Sequence, residues 1–258
     1  MLLVEAFAEG SPMAQVRDGA RTSAAIREAA AELFYTRGYQ ASSLRDIASA
    51  VGLQVGSLYN HLRSKDELLI DIMTSVMREL NDALDEALVT APDDAVARIE
   101  AAVGCHIRYH AEHAREVFIG NSELRSLNAQ DRERMHDMRR AYEERIRGLV
   151  DALAWETGAN VMDPRLQTYM LLGHGPNVAS LYRPDRPDVP RSIDQVVDVH
   201  VKLAMRHLDV KIDESADIVR PAATKQPVPT PAVQPTDEPR PVTAGPRRRS
   251  RQTKRPTA

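Results

Sequence analysis

The feature that most constrains this chain is its period. Across residues 20–210 apolar side chains recur every three or four positions, segment after segment, and no β-branched alternating run competes with them. Ala24, Ile26, Ala29, Ala30, Leu33 and Phe34 make one such face, and Gly38 stands where a helix stop needs a residue that tolerates positive φ. Ser43 with Asp46, and Ser64 with Glu67, have the spacing of capping boxes that open new helices. A long helix is expected over about 65–89, ended by Ala91-Pro92. Further helices fit 93–112, 115–126, 129–157, 164–182 and 192–208, with Asp163-Pro164 as an N-cap followed by proline in the first turn. The fold class is all-α, with a small N-terminal unit and a larger C-terminal one.

Composition narrows the function. A single cysteine, Cys105, cannot close an intrachain disulfide, and there is no thiol cluster to hold zinc, so a cystine scaffold and a cysteine-based zinc finger are both excluded. No run reaches the ~18 apolar residues of a membrane span, and the first ten residues carry two acids and no basic segment. The expectation is a soluble, cytoplasmic protein without a membrane partner.

The net charge of −3 hides an asymmetry: residues 1–210 carry −8 and residues 211–258 carry +5, while 15–65 are locally +3. A polyanion feels mainly the charges within about a Debye length of it, so the local sign matters more than the total. Nine of the sixteen prolines fall after residue 210, with few large apolar side chains between them, so 213–258 reads as a disordered tail. Its closing run, Arg247 to Arg255, suits sequence-independent contact with nucleic acid.

The most informative stretch is 42–62. A helix carrying Leu44, Ile47, Ala48 and Val51 on one face ends at Gly52, whose missing Cβ permits the tight turn of a helix-turn-helix. Leu53 and Leu58 then anchor a short second helix and leave Gln54, Val55, Gly56, Ser57, Tyr59, Asn60 and His61 on or near its outer surface. Small residues permit close approach to DNA, and hydroxyl, amide and imidazole groups reach phosphates or base edges. From Ala20 to Leu69 the sequence resembles the TetR family of bacterial regulators, through Phe34-Tyr35-Thr36-Arg37-Gly38-Tyr39, Leu44-Arg45-Asp46-Ile47-Ala48 and Val51 to Leu68. The resemblance implies a DNA-binding repressor, a homodimer on double-stranded operator DNA, and no catalysis. It assigns DNA contacts to Ser42, Ser43, Arg45, Gln54, Val55, Gly56, Ser57, Tyr59, Asn60, His61 and Lys65. Gln54, Val55 and Leu62 depart from the family's usual Ser or Thr, basic residue and Phe.

The implied organisation is a flexible N-terminus (1–19), a helix-turn-helix domain (20–64), a ligand-binding and dimerisation domain (65–212) and the tail (213–258). The segment Leu181-Tyr182-Arg183-Pro184 resembles a branch of the family that senses acyl-CoA thioesters, with Leu181 in place of Trp. Val103, Ile107, Phe118, Trp155, Tyr169, Asn177 and Arg183 are the candidate ligand contacts for a mostly apolar effector. The last helix carries a wide apolar stripe, Ile193, Val196, Val197, Val201, Ala204 and Leu208 broadened by Val199 and Leu203, that suggests a dimer face together with Leu166, Met170 and Leu171.

Three features point elsewhere. His106, His110 and His113 share a helix face at a spacing a metal ion can use, with no carboxylate motif beside them. Gly173-His174-Gly175-Pro176-Asn177 predicts a kinked helix. The competing functions are therefore an enzyme or metal-binding bundle built on those histidines, or a nonspecific nucleoid protein driven by the tail. No cofactor or bound metal is expected.

Overall fold

The computed structural model describes residues 12–182 and 192–210. Arg183 and the tail expected over 213–258 lie outside the described residues. Nine α-helices follow one another, and no strand occurs among the described residues. The first, α1 (Pro12–Arg37), is followed by α2 (Leu44–Ala50), the single-turn α3 (Val55–Leu58) and the long α4 (Lys65–Thr90). The remainder are α5 (Ala95–Glu112), α6 (Ala114–Ser122), α7 (Ala129–Thr157), α8 (Pro164–Leu181) and α9 (Ile193–His207). A 3-10 turn, Leu124–Ser126, follows α6 where the sequence suggested continuous helix to 126.

Local chemistry sets the ends. Gly38, Gly52 and Gly158 all sit at positive φ, the conformation a C-terminal stop requires. Ser43 accepts from the Asp46 amide while Asp46 reaches back to the Ser43 amide, closing the expected box. At α4 the second half differs: Ser64 accepts from the Glu67 amide, but the Glu67 carboxylate takes the Arg63 amide, one residue outside the cap. Another correction concerns the N-terminus, since α1 begins at Pro12 and residues 12–19 are helical rather than flexible. Proline at the first helical position loses no hydrogen bond and fixes φ for the helix.

Two sets of buried side chains hold the fold. Ile26, Phe34, Ile47 and Leu58 close the core of α1–α3, with Phe34 edge-on to Tyr39. Leu69, Ile72 and Met73 of α4 continue that core into the bundle, where Ile99 and Ile107 of α5 and Met135 of α7 are fully enclosed. Helix α5 runs through the middle, packed against α4, α7, α8 and α9. Each buried aliphatic side chain contributes roughly 1.5–3 kcal/mol.

Helix α8 runs through Pro176 without ending, so the predicted interruption is absorbed inside it. Proline has no N–H for the carbonyl four residues earlier, that of Leu172. His106 of α5 supplies the missing donor: its Nε2–H donates to Leu172 O at 3.1 Å, and the Tyr142 hydroxyl of α7 donates to its Nδ1 at 3.2 Å. This network assigns the tautomer. Gly175 makes the approach possible, because a Cβ there would lie 2.5 Å from His106 Nε2 and 2.8 Å from His110 Cδ2.

Candidate nucleic-acid interface and effector cavity

The turn between α2 and α3 is fixed by backbone bonds, Leu53 N–H to Ala48 O at 2.8 Å and Gly52 N–H to Ser49 O at 3.2 Å. Leu58 is fully enclosed beneath α3, so this one turn of helix is held by its neighbours rather than by its own length. Its outer face presents Gln54, Gly56, Ser57, Tyr59, Asn60 and His61 to solvent, with Tyr59 56% exposed. The side chains of Gln54, Tyr59 and Asn60 have no hydrogen-bond partner among the described residues, whereas His61 Nδ1 lies 3.2 Å from Ser23 Oγ. Arg45 and Ser43 are exposed beside them, and Arg63 is 93% exposed.

Three expected contacts sit differently. Ser42 is 2% exposed, and its hydroxyl donates to the carbonyls of Leu33 (3.2 Å) and Gly38 (2.9 Å), so it closes the turn after α1 instead of facing outward. Lys65 Nζ donates to Tyr39 O and Ser42 O, both at 2.9 Å, and lies 4.1 Å over the Tyr39 ring. It ties the start of α4 to the loop before α2. Val55 is half-buried against the core, because the first turn of so short a helix must anchor one side chain inward.

A cavity of about 280 Å³ lies between α4, α5, α6, α7 and α8. Its apolar wall comes from Met73, Met77, Leu80, Met135 and Leu172, and its polar groups from His106, His110, Asn121, Arg139, Tyr142 and Glu143. Burial holds His106 well below its usual pKa, assisted by the neighbouring His110, and lowers His110 to about 4. Both rings are therefore neutral near pH 7. His110 Nδ1–H donates to His106 O at 2.8 Å, which leaves its Nε2 as an acceptor. Burial also raises the Tyr142 hydroxyl, keeping it a donor.

Of the expected ligand contacts, Tyr169 lines this cavity. Phe118 and Asn177 line an adjoining open groove that shares Val117, Asn121 and Pro176 with it. Val103 and Ile107 are packed into the core and line neither. Trp155 is 90% exposed near the end of α7, where no described residue covers it. The sequence reading passed over Met73, Met77, Asn121 and Arg139, since an apolar face and a lone arginine on separate helices carry no mark of shared space.

The three histidines do not converge on a metal. His106 and His110 spend ring nitrogens on the bonds above, and His113 stacks on Tyr109 at 4.2 Å. No group of three suitable ligands occurs among the described residues.

Two helices connect the cavity to the DNA-binding unit. On α4, Asp71 pairs with Arg27 of α1 at 2.6 Å and Asp66 accepts from the Tyr39 hydroxyl. Helix α6 supplies a second: Arg115 forks onto Glu28 at 2.7 and 2.8 Å and reaches Glu32 at 3.3 Å, while Phe118 sits edge-on to Tyr35 at 5.3 Å. Val117, Gly120 and Asn121 of the same short helix border the cavity.

The apolar stripe of α9 divides. Val197 and Val201 pack within 3.5–3.7 Å of where a Gly104 side chain would begin, and Ala204 and Leu208 are buried. Val199 and Leu203 remain exposed, as do Leu166 and Met170 on α8.

Comparison with known proteins gives the same two-part picture. Residues 26–72 match the model of bacterial regulatory proteins of the tetR family, and residues 92–208 match the tetracyclin repressor-like C-terminal domain. The HTH-type transcriptional repressor KstR2 of Rhodococcus jostii is 30% identical over 43% of this chain and 62% of its own length. The chain thus spans about three fifths of that curated relative. Among solved structures, the TetR family transcriptional regulator PfmR from Thermus thermophilus is 28% identical, with TM-score 0.63 over 70% of this chain and 97% of that one. AibR, solved in complex with isovaleryl coenzyme A and operator DNA, shares the fold at TM-score 0.63 and 22% identity, covering 74% of this chain and all of its own (100%). No described helix is long and apolar enough to cross a membrane. Two family models over consecutive parts of the chain, a helix-turn-helix with an open polar face and a bundle enclosing a cavity together place it: the chain belongs to the TetR family of bacterial regulators.

Proposed function

We propose that the protein is a transcriptional repressor that binds a palindromic operator as a homodimer and leaves it when a mostly apolar small molecule enters the bundle. The observation that carries this reading is the exposed polar face of α3, held on a scaffold that α4 and α6 tie to the cavity wall. Gln54 and Asn60 are assigned to base edges; Ser43, Arg45, Ser57, Tyr59 and His61 are assigned to phosphates. Gly56 keeps the backbone close to the duplex. Ser42, Lys65 and half-buried Val55 act through the position of the helices. The exposed faces of α8 and α9, with Leu166, Met170, Val199 and Leu203, are assigned to the two-fold contact, which sets recognition helices about 34–36 Å apart.

An effector that prefers a bundle with a different α6 or α4 position loses affinity when operator is bound, by a coupling of about 1–3 kcal/mol. AibR is described with both isovaleryl coenzyme A and operator DNA, so acyl-CoA thioesters and their free acids are the two chemical forms to separate. The test is selection and sequencing of DNA bound by the purified full chain, followed by binding at several salt concentrations. A palindromic consensus with a large specificity ratio is expected. Equal affinity for every sequence, with only a salt slope, would replace this reading by nonspecific binding.

A further inference from the structure

Arg139 is the unusual member of the cavity wall. It is half-buried on α7, and burial disfavours its charge, yet no carboxylate lies within salt-bridge distance among the described residues. By contrast Arg115, Arg145 and Arg27 all pair with acids. One Nη of Arg139 donates to Gly120 O (2.8 Å) and Asn121 Oδ1 (3.3 Å); the other Nη and Nε have no partner among the described residues. A desolvated cation whose donors are incompletely used favours an anion placed against it. Glu143, one turn further along α7, also borders the cavity and is too far away to form that pair, though its field favours the charged form of Arg139.

The space around it is apolar, through Met73, Met77, Leu80 and Met135, and small. At about 30 Å³ for each water-sized group, 280 Å³ accommodates roughly ten non-hydrogen atoms. Among the other polar groups of the wall, His110 offers an occupant an acceptor, its Nε2.

We propose that the cavity is a site for a small organic carboxylate of about ten non-hydrogen atoms, its carboxylate on the Arg139 guanidinium and its apolar body among the methionines. A hydroxyl on that body finds its acceptor in His110. This deepens the ligand-sensing reading above and rests on it only for the consequence to DNA, because binding is measured without operator.

Octanoate and cyclohexylacetate are the probes, with octanamide and octanoyl-CoA as controls, read by calorimetry and by thermal shift on the full chain. Both acids are expected to bind, and octanamide at least tenfold more weakly. Arg139→Gln should weaken octanoate at least tenfold and leave octanamide unchanged, and Arg139→Lys should recover part of the loss. If Arg139→Gln does not fold, raising ionic strength on the wild type must still weaken octanoate and spare octanamide. Failure of both acids to bind, equal binding of acid and amide, or binding of the thioester alone would overturn the proposal. Apo binding to the selected operator, measured on the same preparation, reports separately on the repressor reading.

Discussion

The DNA-binding unit and the bundle treat polar side chains in opposite ways. Around α3, Gln54, Tyr59 and Asn60 are exposed and unpaired among the described residues, and the bonds that hold them in place are backbone bonds a few residues long. Inside the bundle, His106 joins Tyr142 and the Leu172 carbonyl, 36 and 66 residues away in the chain, and His110 bonds back to His106 O. The first arrangement keeps donors and acceptors ready for an outside partner. The second uses them to position three helices, since an unpaired polar group in that setting costs about 1–3 kcal/mol. Arg139 is the place where the bundle behaves like the other unit, and it is there that a ligand is expected.

The largest test of this contrast is pH. His106 and His110 have native pKa values depressed by burial, the latter to about 4 against 6.5 unperturbed. Above 6.5 they are neutral in both states and add no pH dependence. As pH falls below 6.5 the unfolded chain takes up protons that the native state does not, so stability drops until the native rings protonate. Each histidine gives about 1.4 kcal/mol per pH unit, or about 3 kcal/mol for the pair by pH 5.5. Denaturant unfolding between pH 7.5 and 5.5 checks the slope, and His110→Gln should reduce it. A flat profile would mean that the rings are not buried neutral.

Next is Gly175→Ala, whose Cβ would meet His106 Nε2 at 2.5 Å. Overpacking of this kind costs about 2 kcal/mol, measured by chemical unfolding, while Gly56→Ala, with nothing within 4 Å of its Cβ, should leave stability within about 0.5 kcal/mol. The two glycines thus separate a packing role from an approach role, and the second should appear only as weaker DNA binding.

Gln54→Ala should change base preference at one operator position by about 1–2 kcal/mol. Tyr59→Phe should weaken all sequences alike by about 1 kcal/mol. An unchanged consensus after Gln54→Ala removes its base-reading role. A small stability effect, about 1 kcal/mol, is expected for Arg115→Ala, because its partners Glu28 and Glu32 are largely solvent-exposed and only Glu116, at 2.5 Å, is mostly buried. The same substitution should reduce the effect of effector on operator affinity, since it removes the α6 ion pairs while keeping Phe118 on Tyr35 and Asp71 with Arg27 on α4. Equal coupling in that variant would assign communication to α4 and the Phe118 contact with Tyr35.

What the sequence by itself determined is everything set within one turn or one helix. The 3.6-residue period located the helices, Ser43 and Asp163 two of their starts, and Gly38 and Gly52 two of their sharp stops, because caps and positive-φ residues act on neighbours. For the same reason the outer face of α3 was legible. The tertiary structure alone decided which polar groups were already spent. Ser42 and Lys65 look like DNA contacts until the carbonyls of Leu33, Gly38 and Tyr39 are seen to occupy them. Trp155 looks like a pocket residue until it is seen 90% exposed, with no described helix over it. The Gly175-Pro176 pair reads as a kink, and only the structure shows His106, seventy residues earlier, satisfying the carbonyl that proline frees. Such bonds and cavities depend on the relative placement of helices far apart in the chain, and no local pattern encodes that distance.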